Sequence, residues 1–569
     1  MKVLGIESTA HTFGAGVVVN GEVKSNVREM YVPEKGGIHP REAADHHVRY
    51  GVNVVENALS NCGLERDDID LVTFARGPGL GPCLRVGATI ARALAVNLGV
   101  PILGVNHCVA HLEIGGSLGC KDPVLLYTSG ANTQIIAFVR KRYRVLGETL
   151  DVGVGNMLDK LGREMGMGFP AGPRIEKLAQ GEPVENVHSG FDGVPELVEL
   201  PYSVKGMDVS FSGLMTAALS KWRRGASVPS ICRSVQEYSF SMLCEVAERA
   251  MAHIGADELL LGGGVACNER LREMATDMVE ARGGKCYYPP PSLSVDNGAM
   301  IAYLGELEYK AGVRQELDDT VIDQRFRTDQ VEVVWREERE MKEIDTPGVK
   351  TMEIGGVPEE GAVIGRGAEA KITYLDYLSQ PAVLKFRGVK NYRSREIDSM
   401  LISGRTRREA KMLHFLRESG VRTPVVLDAD PERGMIILEY LPGPRLASRL
   451  NVLEPEVQEN VVKRMGKIVG RMHSRGIIHG DLTTSNFILL DGSMDPELAV
   501  LDCSLAARTE EPEEKGVDLR LFFEVFGSTH GELMHLKDEF LGSYRSSNPG
   551  YAEVEEKLGQ IESRARYMS

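Results

Sequence analysis

Short apolar runs alternate with amphipathic helical patterns through the first 330 residues of the chain. These runs predict strands at residues 2–7, 14–20, 22–27, 70–74 and 100–105. A turn at Asn20-Gly21 joins two of them as a hairpin, and residues 84–98 predict a helix. Strands mixed with helices in this order indicate an α/β fold.

The same pattern recurs further along the chain. Residues 125–133 and 134–140 predict a second hairpin, and residues 232–254 predict a long helix that leads to a strand at 258–261. The segment at residues 208–213 predicts a short strand and a turn. Because the second hairpin repeats the opening of the chain, the pattern is that of a duplicated fold with two lobes.

The pattern changes after about residue 330. Residues 336–343 form a charged run with no apolar stripe, and turn signals follow at residues 345–348 and 358–361. We interpret this stretch as a connection, although a surface helix would fit the same residues. The predicted organisation is a first module at 1–326, a linker at 327–355 and a second module at 356–569.

Composition limits the class of protein. The chain has 569 residues, 43% of them hydrophobic and 26% charged, which is typical of a soluble globular protein with more than one core. The nine cysteines show no paired spacing, and neither a membrane-spanning run nor a signal peptide is evident. We therefore expect a cytoplasmic protein without disulfides or a membrane partner.

Charge is unevenly spread along the chain. The net charge is −15, yet residues 385–422 hold 11 Lys and Arg against 4 Asp and Glu. A local basic face on an acidic body favours one specific anionic partner over general nucleic-acid coating. A solvated helix face is an equally good interpretation of this window.

A histidine pair is the strongest candidate for chemistry. His107 and His111 lie four residues apart after a predicted strand, so a helix places both imidazoles on one face. Asp296 precedes a helix in a distant polar loop and offers an oxygen ligand for the same metal ion. Such pairs are also common as plain structural residues. The zinc-peptidase motif is absent, because Cys108 stands where its glutamate belongs.

Glycine-rich turns surround this pair in the sequence. Residues 75–82, 129–133, 168–176 and 262–268 each place bare backbone after a strand or before a helix, which suits a bound phosphate or adenosine. They are also ordinary turns. Residues 36–47 hold three histidines and an arginine, and His39 and Arg41 are candidates for the rim of an anion pocket.

Taken together, these motifs resemble the TsaD-type tRNA threonylcarbamoyladenosine transferases, the catalytic subunit of the KEOPS complex. The shared motifs are Gly-Gly-Ile-His-Pro-Arg-Glu-Ala-Ala-Asp-His-His, Arg-Gly-Pro-Gly-Leu, Asn-His-x-x-x-His, Thr-Ser-Gly-Ala-Asn-Thr, Ser-Phe-Ser-Gly-Leu and Gly-Gly-Gly-Val-Ala-x-Asn. The resemblance implies a two-lobed actin-like ATPase (ASKHA) fold. Ser8 departs from the glycine expected there in archaeal members.

The resemblance also assigns residues to the transferase site. The implied ligands of one iron or zinc ion are His107, His111, Tyr127 and Asp296. The implied contacts to the adenylate substrate, threonylcarbamoyl-AMP, are Tyr127, Thr128, Ser129, Gly130, Ala131, Asp159, Gly172, Glu176 and Asn268.

The second module carries the parts needed for phosphoryl transfer in protein-kinase order. Lys385 on a predicted strand would contact phosphate, and Glu409 in a helix would hold the lysine. Asp481 would be the catalytic base, with Asn486 and Asp502 as ligands of magnesium. Gly365 and Gly367 precede the lysine as a phosphate loop that is weak when taken alone.

This module resembles the small atypical kinase of KEOPS, which archaea often fuse to the transferase. Asp502-Cys503-Ser504 replaces the usual Asp-Phe-Gly, and no Ala-Pro-Glu segment follows. The resemblance implies a small bilobal α+β kinase-like domain that binds ATP and magnesium. It also implies a basic C-terminus, Arg564-Ala-Arg566-Tyr567, that engages tRNA, for which a frayed terminus is the plain alternative.

We therefore expect a bifunctional enzyme of tRNA modification. It would transfer the threonylcarbamoyl group to the adenosine 3′ of the anticodon in tRNAs that read codons beginning with A. An atypical serine/threonine kinase or ATPase would support the reaction, with tRNA, ATP and other small KEOPS subunits as partners. Two rivals are a signalling kinase with a nucleotide-sensing module and a metallopeptidase.

Overall fold

A computed structural model describes residues 1–32, 38–184, 195–337 and 357–568, with side chains described as far as residue 562. Several predicted features lie outside the described residues: Gly36 and Gly37, the linker beyond residue 337, and the side chains of Arg564 and Arg566. Within the described ranges, no helix combines the length and the apolar character that crossing a membrane requires.

The first lobe is a five-stranded sheet with three helices. Its elements are β1 (Lys2–Glu7), β2 (Thr12–Val19), β3 (Glu22–Met30), α1 (Pro40–Ser60), β4 (Leu71–Gly77), α2 (Gly81–Leu98), β5 (Ile102–Asn106) and α3 (His107–Glu113). The strand order is β3-β2-β1-β4-β5. β1 pairs antiparallel with β2 and parallel with β4, so a hairpin and a crossover meet at the first strand.

The second lobe repeats this connectivity. Its elements are β6 (Val124–Thr128), β7 (Thr133–Val139), β8 (Arg142–Glu148), α4 (Val154–Glu164), α5 (Gly172–Ala179), β9 (Val204–Lys205), β10 (Asp208–Val209), α6 (Ser212–Arg223), α7 (Val228–Ile254), β11 (Glu258–Gly262), α8 (Glu269–Glu280), β12 (Lys285–Tyr287), α9 (Pro291–Ser294) and α10 (Gly298–Lys310). The order β8-β7-β6-β11-β12 again joins a hairpin to parallel strands. The prediction of a duplicated α/β fold is confirmed.

One helix returns from the second lobe to the first sheet. α10 lies directly on the backbone of β1 and β2, where a Cβ added to Gly16 would sit 2.2 Å from the Ala299 nitrogen. A Cβ on Gly298 would sit 2.3 Å from the Gly16 nitrogen, so both positions exclude any side chain. The Asn297 side chain caps α10 by accepting the Met300 N–H at 3.0 Å. This close packing fixes the loop that contains Asp296.

The second module has a small sheet lobe and a helical lobe, as a kinase-like α+β domain does. Its elements are β13 (Val363–Arg366), β14 (Lys371–Tyr377), β15 (Gln380–Phe386), α11 (Arg395–Glu418), β16 (Val426–Asp430), β17 (Met435–Glu439), α12 (Leu446–Arg449), α13 (Pro455–Ser474), β18 (Ile477–Ile478), β19 (Phe487–Asp491), β20 (Glu497–Val500), β21 (Ala507–Arg508), α14 (Pro512–Thr529), α15 (Lys537–Ser547) and α16 (Tyr551–Met568). The sheet is antiparallel, in the order β13-β14-β15-β17-β16.

The two modules share a hydrophobic core. The cluster that contains the buried residues of α7 also contains Tyr392 before α11, Ile397 and Leu401 of α11, and Leu521 and Val525 of α14. Apolar surface from both modules is therefore removed from water at one interface, which favours their association.

Some predicted boundaries differ from the structure. β10 covers only Asp208–Val209, and the predicted turn at residues 212–213 is the first turn of α6. Val331 and Val333 are buried in the core of the first module, and the Arg336 guanidinium donates to Glu113 at 2.7 and 3.1 Å. The described start of the predicted linker is therefore packed against the first module.

Candidate functional site

The two histidines and the distant aspartate meet in the first module. β5 ends at Asn106, whose side chain accepts the Val109 N–H at 3.1 Å and so caps the helix that begins with His107. Asp296 Oδ1 lies 3.5 Å from His107 Nε2 and 3.3 Å from His111 Nε2. One ligand atom from each of the three residues lies within 4.8 Å of the others. Such a cluster can hold one metal ion.

Tyr127 approaches the same cluster from the second lobe. It is the penultimate residue of the fully buried strand β6, and its hydroxyl lies 3.1 Å from His107 Nε2. The structure therefore brings all four sequence-predicted metal ligands together, two from α3, one from β6 and one from the loop before α10.

Glu7 supports His107 from behind, a contact that the sequence analysis missed. Its carboxylate is buried at the end of β1 and lies 2.8 Å from His107 Nδ1. The other oxygen accepts the Thr9 N–H at 2.6 Å. A carboxylate on the far ring nitrogen fixes the orientation of a metal-binding histidine and leaves Nε2 facing the centre. The signal in the sequence was an acid that closes an otherwise apolar strand.

The pKa values of His107, His111 and Asp296 are shifted in different directions. Burial lowers the pKa of His107, but Glu7 and Asp296 outweigh burial and raise that pKa to about 9. Burial lowers the pKa of His111, with Asp296 opposing. For Asp296, burial favours the neutral acid, yet the two histidines hold its pKa below the usual range. An ionised carboxylate beside imidazoles is a donor set that suits zinc or iron.

The predicted adenylate contacts are linked by a chain of hydrogen bonds. Gly155 and Asn156 at the start of α4 donate backbone N–H groups to the carbonyls of Ser129 and Gly130, at 3.2 and 2.8 Å. Asp159 on α4 then accepts the Ala171 N–H at 2.7 Å, next to Gly172. The loop at residues 129–131, α4 and the start of α5 therefore form one surface.

The other side of this surface is formed by α5, α7 and α8. Glu176 accepts the Glu269 N–H at 2.7 Å. Asn268 caps α8 by accepting the Leu271 N–H at 3.2 Å, and its Nδ2 donates to Gln236 of α7 at 3.0 Å. Apart from its chain neighbours and its own helix, no atom of the described residues lies within 4 Å of where a Cβ on Gly172 would be, so that backbone borders open space. The residues predicted to contact the adenylate are thus neighbours. Asp159, Glu176 and Asn268 already accept backbone N–H groups of nearby segments.

The predicted rim residues His39 and Arg41 and a third residue, His11, differ in placement. His39 and Arg41 are exposed. His11 lies edge-on to Phe169 with ring centroids 6.2 Å apart, and its Nδ1 is buried with no hydrogen-bond partner in the described structure. His11 therefore lies beside the loop that leads to Gly172.

The kinase-like site assembles from four elements of the second module. Lys385 Nζ on β15 lies 2.8 Å from Glu409 Oε1 on α11 and 2.7 Å from Asp502 Oδ1. Asn486 donates to the Asp481 carbonyl at 2.8 Å and to its carboxylate at 3.3 Å. The five predicted phosphoryl-transfer residues therefore form two groups, one of Lys385, Glu409 and Asp502 and one of Asp481 and Asn486. Gly365 and Gly367 lie at the β13–β14 hairpin.

Two acids of this site differ in electrostatics and backbone. Burial raises the pKa of Asp481 above its usual value although Arg249 opposes the shift. Burial would also raise the pKa of Asp502, but Lys385 and Arg387 outweigh burial and hold that pKa below its usual range. Asp502 has a φ of +50°, which few non-glycine residues adopt. Strained backbone of this kind concentrates at functional sites.

Arg249 is a second residue that the sequence analysis missed. It belongs to α7 of the first module, yet its Nη1 donates to Asp481 Oδ2 at 3.2 Å. Its Nη2 contacts Glu369 in the loop between β13 and β14 of the second module. Since 232 residues separate Arg249 from Asp481, no local pattern could have found the contact.

The basic window does not form a continuous face. Lys385, Arg387, Arg393 and Arg405 are buried, and Arg405 pairs with Glu245 and Glu369 inside the molecule. The interpretation of residues 385–422 as one basic face for an anionic partner therefore does not hold for the buried Arg405. Five of the eleven basic residues in this window pair with buried acids: Lys385, Arg387, Lys390, Arg393 and Arg405.

Comparisons with known proteins follow the same division of the chain. Residues 22–303 match the TsaD family of tRNA N6-adenosine threonylcarbamoyltransferases, and residues 378–527 match the RIO domain. A probable bifunctional tRNA threonylcarbamoyladenosine biosynthesis protein of Methanothermobacter thermautotrophicus is 44% identical over the full length of both chains. Proteins of the same description from Methanocaldococcus jannaschii and Thermoplasma volcanium are 43% and 41% identical, also over both full lengths.

The chain belongs to this family. Its members are bifunctional tRNA threonylcarbamoyladenosine biosynthesis proteins, so the chain combines a TsaD transferase with a RIO kinase domain and acts on tRNA. Metal and ATP binding are general properties of the two families. A stand-alone signalling kinase is not favoured.

Among solved structures, the chain is similar to HypF from T. kodakarensis, with a TM-score of 0.35, 15% identity and coverage of 54% of this chain and 48% of that one. It is also similar to the Rio2 kinase of Chaetomium thermophilum, with a TM-score of 0.26, 15% identity and coverage of 35% and 70%.

Proposed function

We propose that the TsaD module, residues 1–326, transfers a threonylcarbamoyl group from threonylcarbamoyl-AMP to N6 of the adenosine 3′ of the anticodon, in tRNAs that read codons beginning with A. The observation that carries this proposal is the meeting of His107, His111 and Asp296 beside the surface made by α4, α5 and α8. Small KEOPS subunits are the proposed protein partners.

The donor set of two imidazoles, a carboxylate and a phenol fits one iron or zinc ion held by His107, His111, Tyr127 and Asp296. Such an ion would supply Lewis acidity to polarise the carbamoyl carbonyl. Glu7 holds the His107 ring in position through Nδ1. The bare backbone at residues 129–131 and Gly172 orients the adenylate, and correct positioning supplies much of the rate.

The reaction forms one bond and breaks one. The adenosine N6 bonds to the carbamoyl carbon, the bond from that carbon to the AMP phosphate oxygen breaks, and AMP leaves. N6 must lose one proton. We assign its acceptance to His11, because the Nδ1 of His11 is buried and lacks a hydrogen-bond partner in the described structure, whereas His39 is exposed.

The test uses purified full-length protein with any required partner subunits, tRNA and threonylcarbamoyl-AMP. The modified adenosine is measured by mass spectrometry, and metal content is measured in the same samples. His107→Ala and His111→Ala should each lose bound metal and product. The control is His414→Ala, whose imidazole is 68% exposed on α11. Full product formation by both variants would refute the metal role.

The assignment of His11 has its own test. His11→Ala should lower the transfer rate without lowering metal content. The loss of rate should diminish as pH rises, because hydroxide can then accept the N6 proton in place of His11. His39→Ala should leave the rate within about twofold. A His11→Ala variant with the wild-type rate and pH profile would refute the assignment.

We propose that the second module, residues 356–569 after a linker at 327–355, hydrolyses ATP in support of the transferase. Lys385 contacts phosphate and is held by Glu409, Asp481 is the base, and Asn486 and Asp502 hold magnesium. Gly365 and Gly367 cover the phosphates. The support for these roles is the contact of Lys385 with both Glu409 and Asp502, since phosphoryl transfer requires a lysine and acids in this arrangement.

Asp481→Ala tests this second activity. It should abolish ATP hydrolysis and leave the metal content of the transferase module unchanged. Asp428→Ala, at an exposed aspartate of β16 in the same module, is the control. Hydrolysis that persists in Asp481→Ala would refute the assignment of the base.

A further inference from the structure

The catalytic loop of the RIO domain brings no cation to its own base. Between Asp481 and Asn486 the chain reads Leu-Thr-Thr-Ser, with no lysine or arginine. Lys385 is already engaged by Glu409 and Asp502, at 2.8 and 2.7 Å. Phosphoryl transfer places negative charge on the oxygens of the moving group, and a cation positioned on those oxygens is worth orders of magnitude in rate. Beside the magnesium proposed at Asn486 and Asp502, any side-chain cation next to Asp481 has to come from outside this loop.

Arg249 of the TsaD module occupies that position. Its guanidinium is only 10% exposed and lies between Asp481 and Glu369 of the phosphate loop. Among the described residues, the ion pair of Asp481 is with this arginine. Burial opposes the charge of Arg249, but Glu369 and Asp481 outweigh burial and raise its pKa further, so the side chain carries its positive charge throughout the physiological range.

The guanidinium is held in its orientation from the side of α7. Glu245, one helical turn earlier, accepts the Arg249 Nε–H at 3.2 Å. Glu245 is itself fixed by Arg393, at 2.7 Å, and by Arg405, at 2.9 and 3.1 Å. With Nε fixed, both terminal nitrogens point into the kinase-like site. Such a preorganised fork matches the geometry of phosphate oxygens.

We propose that Arg249 is a catalytic residue of the RIO domain and donates hydrogen bonds to the γ-phosphate of ATP during hydrolysis. The inference rests on the proposed ATPase function with Asp481 as base. The water oxygen bonds to the γ-phosphorus, Asp481 accepts the water proton, and the bond to the β–γ bridging oxygen breaks to release ADP. The TsaD module thereby completes the active site of the module fused to it.

The same contact has a competing interpretation, in which Arg249 only blocks the site. The two interpretations predict opposite signs. An arginine that stabilises the transition state lowers the rate when it is removed, whereas a plug raises the rate when it is removed. The geometry favours catalysis because Arg249 leaves the contacts of Lys385 with Glu409 and of Asp481 with Asn486 intact.

The experiment measures steady-state ATP hydrolysis by the full chain and by its Arg249→Ala and Arg249→Lys variants. Arg249→Ala should lower kcat by about 10³-fold or more, the effect of removing an arginine finger, with a KM for ATP within a few fold. Arg249→Lys should restore little, because a lysine is a point charge without the planar fork. Added guanidinium ion at non-denaturing concentration should partly restore Arg249→Ala, which a purely structural role would not allow.

The control is Arg282→Ala, an arginine of the same module that is 26% exposed and lies 3.9 Å from Glu248. Its kcat should stay within twofold of wild type. Thermal melting of each variant checks folding, and if Arg249→Ala does not fold, the kcat of Arg249→Lys decides. Wild-type or faster hydrolysis by the folded variants would overturn the inference. If the wild-type chain hydrolyses ATP and Asp481→Ala does not, that outcome leaves the proposed ATPase function standing.

Discussion

Glu245 is the residue on which the charge balance between the modules depends most directly. Its buried carboxylate accepts five hydrogen bonds, from Tyr202, Arg249 and Arg393 once each and from Arg405 twice, at 2.7 to 3.2 Å. Glu245→Gln keeps the shape of the side chain and removes its charge. The buried arginines then lose their shared counter-charge at the junction of the modules.

The expected cost can be worked from these contacts. Breaking a buried ion pair by removing one partner destabilises a protein by about 3–5 kcal/mol. Arg405 keeps Glu369 at 2.7 Å, and Arg393 keeps Asp398 at 3.5 Å, so the loss lies at the lower end. We therefore expect about 3 kcal/mol. The control Glu432→Gln, at a carboxylate that is 75% exposed and pairs with Arg407, should cost about 0–1 kcal/mol.

Denaturant unfolding followed by two probes gives the measurement. Of the two tryptophans of the chain, Trp222 lies in the first module and Trp335 packs against its core, so their fluorescence reports on that module, whereas circular dichroism reports on the whole chain. In the wild type the shared core should make the two transitions coincide. In Glu245→Gln the dichroism should begin to fall at lower denaturant than the fluorescence.

The pH dependence supplies an independent check. Burial opposes ionisation of Glu245, but Arg405, Arg393 and Arg249 outweigh it and hold its pKa below the usual 4.5. The stabilisation is therefore complete above pH 4.5 and is lost as pH falls below that value. The gap between wild type and Glu245→Gln should be constant from pH 6 to 8 and narrow in acid. A free energy of unfolding for Glu245→Gln within 1 kcal/mol of the wild-type value at pH 7 would refute the reasoning.

Three further predictions concern stability, each measured by denaturant unfolding. Gly16→Ala should destabilise the first module by about 3 kcal/mol, because its Cβ meets the α10 backbone at 2.2 Å; Gly404→Ala, in open space on α11, should instead stabilise by up to about 1 kcal/mol. Burial and Glu113 raise the pKa of Glu308 from 4.5 to about 8, so wild-type stability should fall as pH rises between these values, and Glu308→Gln should be more stable by on the order of 2–4 kcal/mol at pH 8 but little changed at pH 5. Arg336→Ala should cost about 2–3 kcal/mol, because it leaves the buried Glu113 without its bidentate partner; an unchanged midpoint would contradict this.

Local patterns predicted much of the fold. β1 covers residues 2–7 as predicted, and β11 exceeds its predicted range by one residue. Both are apolar runs bounded by turn or glycine signals, so the neighbouring sequence contains the information. The pairing of Lys385 with Glu409 was also predictable, because the spacing of kinase motifs specifies it.

Contacts between distant segments could not be predicted in this way. Glu7 and His107 are 100 residues apart, and Arg249 and Asp481 are 232 apart, so nothing in either neighbourhood indicates the other. The burial of Arg405 has the same cause. A run of basic residues shows how much positive charge a helix carries, but not that Arg405 is neutralised by Glu245 of α7 in the other module and by Glu369.

One helix, α7, contacts the surroundings of both candidate sites. Gln236 near its start binds Asn268, and Arg249 near its end meets Asp481, about 20 Å along the axis at 1.5 Å per residue. A substitution in α7 that shifts the helix should therefore affect both sites. Changes to α7 in one module therefore constrain which changes the other module tolerates. A small molecule that binds at one site and shifts α7 should inhibit the activity at the other site.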